Sequence, residues 1–85
     1  MKFGLHFGSR GTAGEPDSLK AIARSAEALG YEHFGMSDHV VVATDVDSAY
    51  PYSETGKFFA QDTGVSLETI TALSFVASAT DRIRL

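Results

Sequence analysis

The sequence predicts an α/β fold built around parallel strands, and three observations lead to this class. Residues 2–7 alternate apolar and polar side chains, which is the period of a β-strand. Residues 16–29 carry apolar side chains at helical spacing, and residues 31–39 return to the period of a strand. A strand, a helix and a second strand with short connections form a βαβ unit, in which the strands run parallel and the crossover is right-handed.

The first helix has recognisable start and stop signals. Pro16 suits the first helical position, while Glu15 and Asp17 favour the positive end of the helix dipole. Gly30 suits the turn that ends the helix. The glycine-rich segment 8–14 before it predicts a loop. The apolar face of the helix is formed by Leu19, Ile22, Ala23, Ala26 and Leu29.

The second half begins with a long connection, residues 40–66, which is typical of a loop on the functional side of an α/β unit. A second helix is predicted to begin after Ser66 as N-cap and to end near Thr80 and Asp81. Residues 82–85 alternate again and predict the start of a third strand. The second helix is predicted to be buried over much of its circumference, by Leu67, Ile70, Leu73 and Ala77 together with Ala72, Phe75, Val76 and Ala79.

Composition limits the class further. With 85 residues and 44% apolar side chains, the chain is a single domain with a small core. The absence of cysteine excludes a disulfide framework and a thiolate metal cluster. A net charge of −4 with scattered basic residues argues against nucleic acid and anionic membranes as partners, and no apolar run reaches the length of a membrane span. These features predict a cytoplasmic protein.

Taken together, the motifs resemble the N-terminal part of the bacterial luciferase-like oxidoreductases, which use a flavin or a deazaflavin and fold as (β/α)8 barrels. Such a barrel needs roughly 250 residues, so the resemblance implies a partial TIM barrel: two βα units and the start of the third strand. Residues 1–85 would then be a single partial domain. The segments that carry the resemblance are residues 1–5, 19–31, 36–39 (Met-Ser-Asp-His), 50–53 (Tyr-Pro-Tyr-Ser) and 79–85.

The resemblance implies site residues at the end of the second strand. His39 is the candidate acid/base, since an imidazole exchanges protons near neutral pH, and Asp38 is the candidate that orients the polypeptide or binds a substrate hydroxyl. Asp38, His39 and His6 are the candidate coenzyme contacts. Without the resemblance, His39 is an ordinary half-exposed residue, Asp38 caps a turn, and His6 is a hydrogen-bonded core histidine.

Three further patterns bear on whether the chain holds a cofactor or a metal. The spacing of Gly8, Gly11 and Gly14 matches neither the dinucleotide fingerprint nor the P-loop, which favours a mobile loop instead. The histidines lack a recognised metal-ligand spacing, so no metal is expected. Four aromatic residues of the long loop either cover a flat ligand or pack the loop onto the fold: Tyr50, Tyr52, Phe58 and Phe59.

The resemblance therefore predicts part of an enzyme that transfers a hydride between the deazaflavin coenzyme F420 and a small organic substrate, and that is inactive alone. One alternative is an FMN-dependent monooxygenase of the same superfamily. Another is a non-catalytic truncated module that assembles with a second copy or with another chain. The exposed sheet edge and the apolar second helix favour homo-oligomerisation or association with the remainder of such a barrel.

Overall fold

The structure of the chain is a computed structural model that describes residues 1–41, 43, 45–57 and 66–85, with the side chain of Thr12 excepted. The elements follow one another in the predicted order of strand, helix, strand and helix. A short 3₁₀ helix precedes the first α-helix. The elements are β1 (Gly4–Phe7), the 3₁₀ helix (Gly11–Gly14), α1 (Pro16–Ala28), β2 (His33–Met36) and α2 (Thr69–Ala77).

The two strands form a parallel pair, which confirms the predicted βαβ unit. Gly4 lies opposite His33 and Phe7 lies opposite Met36, so each strand is four residues long and shorter than its alternating segment. Each strand extends only as far as the parallel ladder, which contains four residue pairs. On the other edge of β2, Phe34 N–H donates to the Arg84 carbonyl at 2.7 Å. The bond belongs to an isolated parallel β-bridge between His33 and Arg84. Arg84 lies in the segment that is predicted to begin the third strand.

One face of this sheet packs against the helices and the other does not. Phe34 and Met36 alternate inward from β2, and Phe34 is 1% exposed. Gly35 and His6 lie on the opposite face, which the described residues leave open. The buried apolar cluster consists of Ala13, Leu19, Ala23, Ala26, Phe34, Met36, Ala72, Val76 and Ile83.

The end of α1 confirms the predicted glycine turn. Gly30 has a φ of 84°, in the left-handed region where a side chain is strained. Its N–H donates to the Glu27 carbonyl, and the Tyr31 N–H donates to the Ala26 carbonyl. These two bonds form a Schellman motif, which satisfies carbonyls that the last turn would leave without partners.

The predicted bounds of α2 are wrong at both ends. Glu68, rather than Ser66, is the N-cap, because its carboxylate accepts hydrogen bonds from Ile70 N–H and Thr71 N–H at 3.0 and 2.7 Å. The Ser66 hydroxyl is instead bonded to a residue outside the helix. The helix ends at Ala77, three residues before the predicted Thr80, with Ser78 as C-cap.

The predicted burial of α2 is also too broad. The buried residues are Thr69, Ala72 and Val76, whereas Ile70 is 70% exposed and Phe75 is 36% exposed. The helix contacts α1 and β2, which lie on one side of it, so a single stripe is covered. The apolar side chains on the other side of α2 are therefore exposed to solvent.

The glycine-rich segment is more regular than its composition predicts. Residues Gly11–Gly14 form the 3₁₀ helix, and Ala13 within it is fully buried. The 3₁₀ helix packs against α1, so the burial of Ala13 stabilises a segment that local propensity assigns to a loop. The prediction of an irregular loop is thus wrong at these four residues.

Candidate functional site

The candidate site lies where the two parallel strands end. Ser37 N–H donates to the Phe7 carbonyl at 3.1 Å, beyond the last pair of the ladder. Asp38 and His39 follow directly and are both exposed. Because β2 ends at Met36, the alternation of the strand does not determine the direction in which the His39 side chain points. The predicted extension of the strand through His39 is therefore wrong.

The first turn of α2 is attached to this end of β2 through Thr69. The Thr69 hydroxyl is buried and donates to the Ser37 carbonyl at 3.0 Å, and it lies 3.3 Å from Asp38 Oδ1. Asp38 thus lies beside the N-terminus of α2, where the helix dipole favours a negative charge. The contact joins Asp38 to a residue 31 positions away rather than to the turn that follows it, and Asp38 remains exposed.

Asp38 and His39 line a groove of about 350 Å³ that is open to solvent. Ser66, Leu67 and Glu68 form the opposite wall, and Val40 completes the lining. Hydrogen bonds from the Thr71 side chain and from the Thr71 and Ile70 N–H groups lower the pKa of Glu68. The groove therefore combines an imidazole with two carboxylates, and its described lining residues include no lysine or arginine.

A pair of serines positions the wall that faces Asp38 and His39. Ser9, which is 2% exposed, lies two residues after β1, and its hydroxyl is 3.0 Å from the Ser66 hydroxyl. The Ser9 carbonyl also accepts a hydrogen bond from Leu67 N–H at 3.0 Å. These bonds hold the residues before α2 against the end of β1. The sequence does not predict the roles of Ser9 and Thr69, because their partners lie more than 30 residues away and no local pattern indicates them.

His6 occupies a different part of the molecule from the groove. It lies on the open face of the sheet, where its Nε2 is 2.9 Å from the Ser37 hydroxyl. The imidazole is exposed, so the interpretation of His6 as a core histidine is wrong, although it is hydrogen-bonded. Ser37, which is bonded to His6 on the open face, directly precedes Asp38, which lines the groove. The structure thus brings Asp38 and His39 together along the groove, whereas His6 lies outside the groove, on the open face of the sheet.

The described part of the long loop contains a compact turn. Tyr50 N–H donates to the Gly56 carbonyl at 2.6 Å, and the Tyr50 and Tyr52 rings meet edge to face with centroids 5.6 Å apart. Tyr52 is 86% exposed, so its ring does not pack the loop onto the core. Phe58 and Phe59, the other two aromatic residues of this loop, lie outside the described residues.

The described residues contain neither a cluster of metal-ligand side chains nor a membrane-spanning helix. No group of three or more histidine, aspartate or glutamate side chains within this part of the chain could hold a metal ion. No helix among the same residues is both long enough and apolar enough to cross a bilayer.

Comparisons with known proteins give no family for the chain. No protein-family model matches it, and neither a curated protein nor a solved structure is detectably similar.

Proposed function

We propose that this chain is the N-terminal part of a luciferase-like oxidoreductase that transfers a hydride between coenzyme F420 and a small organic substrate. The observation that carries the proposal is the position of Asp38 and His39 directly after the carboxyl end of a parallel strand. In parallel α/β barrels, catalytic residues come from this end of the strands. In the proposal the 85 residues act in the cytoplasm and only together with the remainder of a barrel.

The proposed roles follow from the chemistry of the two side chains. Removal of a hydride from an alcohol carbon leaves a hydroxyl proton, and the coenzyme supplies the hydride acceptor when it is bound. The His39 imidazole takes that proton, since its two nitrogens can accept and donate near neutral pH. The Asp38 carboxylate accepts a hydrogen bond from the substrate hydroxyl or orients the reacting groups. Thr69 limits the movement of Asp38 through the contact at 3.3 Å.

The groove fits proton transfer better than it fits a phosphate. Its lining provides an imidazole, one hydroxyl group and two carboxylates, and the described lining residues include no lysine or arginine that would pair with a phosphate of F420 or FMN. Most coenzyme contacts would therefore come from other parts of the proposed barrel. The chain alone would therefore have no activity.

The alternative coenzyme is FMN, for a monooxygenase of the same superfamily. A titration separates the two: the protein encoded by the complete reading frame containing these residues is mixed with F420 or with FMN, and the absorbance band of each is followed. We expect the F420 band to shift. A shift with FMN alone would exclude the deazaflavin assignment, and a shift with neither would contradict both coenzymes.

A matched pair of variants tests the role of His39 in the same protein. His39→Ala is expected to lower turnover by about 10²-fold or more, because a general acid/base contributes at least that factor. His33→Ala is the control, since His33 lies at the opposite end of β2. Equal turnover in both variants would remove His39 from the catalytic role.

A second candidate function is a non-catalytic module that assembles with another copy or another chain. The observation that favours it is the exposed apolar side of α2, where Ile70 is 70% exposed. Size-exclusion chromatography of the 85-residue chain tests this second candidate. A stable, strictly monomeric species would contradict the module.

A further inference from the structure

Two adjoining grooves lie at the end of the sheet opposite Asp38 and His39. The first is a polar groove of about 390 Å³, and Arg82 and Arg84 are among its lining residues. The second is an apolar groove of about 380 Å³, which is lined by Phe3, Leu29, Gly30 and Tyr31. Gly30 and Tyr31 line both grooves, so the two adjoin, and each has a volume typical of small-molecule sites.

The polar groove contains two arginines with unpartnered guanidinium groups. The Arg82 and Arg84 side chains are exposed and form no hydrogen bond or ion pair within the part of the chain that the structure describes. Two carboxylates also line the groove, but both are already bonded. The Glu27 carboxylate accepts from three consecutive backbone N–H groups, and Glu32 forms an ion pair with Lys2 at 3.0 Å. The guanidinium groups therefore remain available to an anion.

The charges in and beside the polar groove favour an anion with a single charge. Two guanidinium groups, the Lys2 ammonium group and two carboxylates give this region a net charge of +1. One carboxylate from a ligand would neutralise that charge. A phosphate dianion would instead leave an excess negative charge close to Glu27 and Glu32, which is unfavourable.

The apolar groove presents side chains that the core does not use. Phe3 is 57% exposed and Leu29 is 78% exposed, and neither belongs to the buried cluster or packs against it. Tyr31, between them and the polar groove, does pack against that cluster. An apolar group lying in this groove would remove Phe3 and Leu29 from water, which is favourable.

We propose that the two grooves form a binding site for a small organic carboxylate with an apolar chain. The carboxylate lies on Arg82 and Arg84, and the chain lies against Phe3 and Leu29. A guanidinium group can donate two parallel hydrogen bonds to a carboxylate, which fixes its orientation and adds affinity. The site lies at the other end of the strands from the candidate site, so the inference is independent of the proposed function.

Octanoate is the probe for this site, and the 85-residue chain is titrated with it while the backbone amide resonances are followed by NMR. The resonances of residues 29–32 and 82–84 are expected to shift most. Acetate lacks the apolar chain and octylammonium carries the opposite charge, so each is expected to bind at least about tenfold more weakly. Equal affinity for octanoate and octylammonium, or shifts confined to other residues, would overturn the proposal.

A pair of charge variants tests the arginines. Arg84→Gln is expected to weaken octanoate binding by about 3- to 10-fold, because a charge-assisted hydrogen bond is lost while the backbone bonds of Arg84 remain. Lys20→Gln is the matched control, since Lys20 Nζ lies 5.9 Å from the centre of the Phe75 ring, which lines a different apolar groove between α1 and α2. An equal or larger effect of Lys20→Gln would overturn the assignment to Arg84.

A pair of apolar variants tests the other half of the site. Leu29→Gln is expected to weaken octanoate binding by about 3-fold or more, because part of the leucine side chain no longer leaves water on binding. Ile70→Gln, at a position of α2 that is 70% exposed, is the control and should leave the affinity unchanged. Circular dichroism checks that each variant is folded. Wild-type affinity in folded Leu29→Gln would contradict the apolar half of the site.

Arginine modification by phenylglyoxal tests the site without any substitution. Mass spectrometry gives a separate rate for each arginine, and Arg24, whose Nε donates to the Ala79 carbonyl, is the internal reference. Octanoate is expected to slow the modification of Arg82 and Arg84 relative to Arg24. Unchanged relative rates at a concentration that saturates the NMR titration would overturn the site, whatever the outcome of the coenzyme titrations.

Discussion

Glu27 joins the end of α1 to a segment more than 50 residues away. Its carboxylate accepts hydrogen bonds from three consecutive N–H groups, and Oε2 lies 3.0, 2.5 and 2.8 Å from the nitrogens of Asp81, Arg82 and Ile83. The bonds from Arg82 and then Ile83 lower the pKa of Glu27. A negative charge near the C-terminus of a helix opposes the helix dipole, so these three bonds offset an unfavourable position.

Replacement of this carboxylate should lower stability. In Glu27→Gln, the amide has one acceptor oxygen and no charge, so the three N–H groups lose their charge-assisted partner. We expect a lower midpoint of urea denaturation, followed by circular dichroism. Glu54→Gln, at an exposed position in the long loop, is the control and should leave the midpoint unchanged. Equal midpoints for the two variants would contradict the role of Glu27.

The same carboxylate predicts a dependence of stability on pH. The folded-state pKa of Glu27 lies below the ordinary value of 4.5, so its stabilising effect is fully present above that value. The effect is lost as the pH falls through the folded-state pKa, and Glu68 acts in the same direction. Urea midpoints measured from pH 7 to pH 3 should therefore decrease. The decrease should be smaller in Glu27→Gln, and an identical decrease would exclude a contribution from Glu27.

At the scale of an element, the C-terminus of α1 depends on the left-handed backbone of Gly30. Gly30→Ala should destabilise the chain by about 1 kcal/mol, because an L-residue in this conformation brings its Cβ close to a carbonyl oxygen. Chemical denaturation of the purified chain measures the change. Gly14→Ala is the control, since a Cβ there meets nothing within 4 Å and its φ is not positive. Equal stability losses would show that the turn is not the cause.

Local signals predicted the elements that local interactions determine. Pro16 and Gly30 mark the ends of α1 within one or two residues, and the alternation around Phe34 gives the buried face of β2. The start of α2 was predicted incorrectly because Ser66 and Glu68 both offer side-chain acceptors near the same turn. Serine is the commoner cap, but here its hydroxyl is bonded to the distant Ser9. No local pattern reveals such a partner.

In the candidate site, too, local patterns predict which side chains are involved but not the distant residues that they contact. Alternation places Gly35 and Ser37 on one face of β2, and it places His6 on the polar face of β1. The bond between His6 and Ser37 depends on the register of the two strands, which periodicity does not give. The contact of Asp38 with Thr69 depends on the return of the chain after a long loop. The side chains could be nominated from the sequence, but their partners could not.

At the scale of the whole molecule, the described part of the chain has an extensive apolar surface. Exposed apolar side chains contribute to this surface, and Leu29 and Ile70 are 78% and 70% exposed. Such a surface is typical of a chain that buries further area against a partner.

This surface predicts self-association of the isolated chain. Sedimentation velocity should show larger species as concentration rises. Ile70→Lys should weaken the association by at least about tenfold, because burial of one isoleucine contributes roughly 1.5–3 kcal/mol. Ala77→Lys adds the same charge at another exposed position of α2 and should have a smaller effect. Association that is equally strong in wild type and Ile70→Lys would show that this face of α2 is not involved.

The bonds between Glu27 and residues 81–83 cannot form during synthesis until residues 81–83 have been added to the chain. Glu27 and Asp81 are separated by 54 positions, which at ordinary translation speeds corresponds to about 3–11 s between their incorporation by the ribosome. During this interval α1 carries a carboxylate whose amide partners do not yet exist. A nascent chain halted before residue 81 should therefore be more sensitive to proteases around α1 than one that has emerged past residue 83.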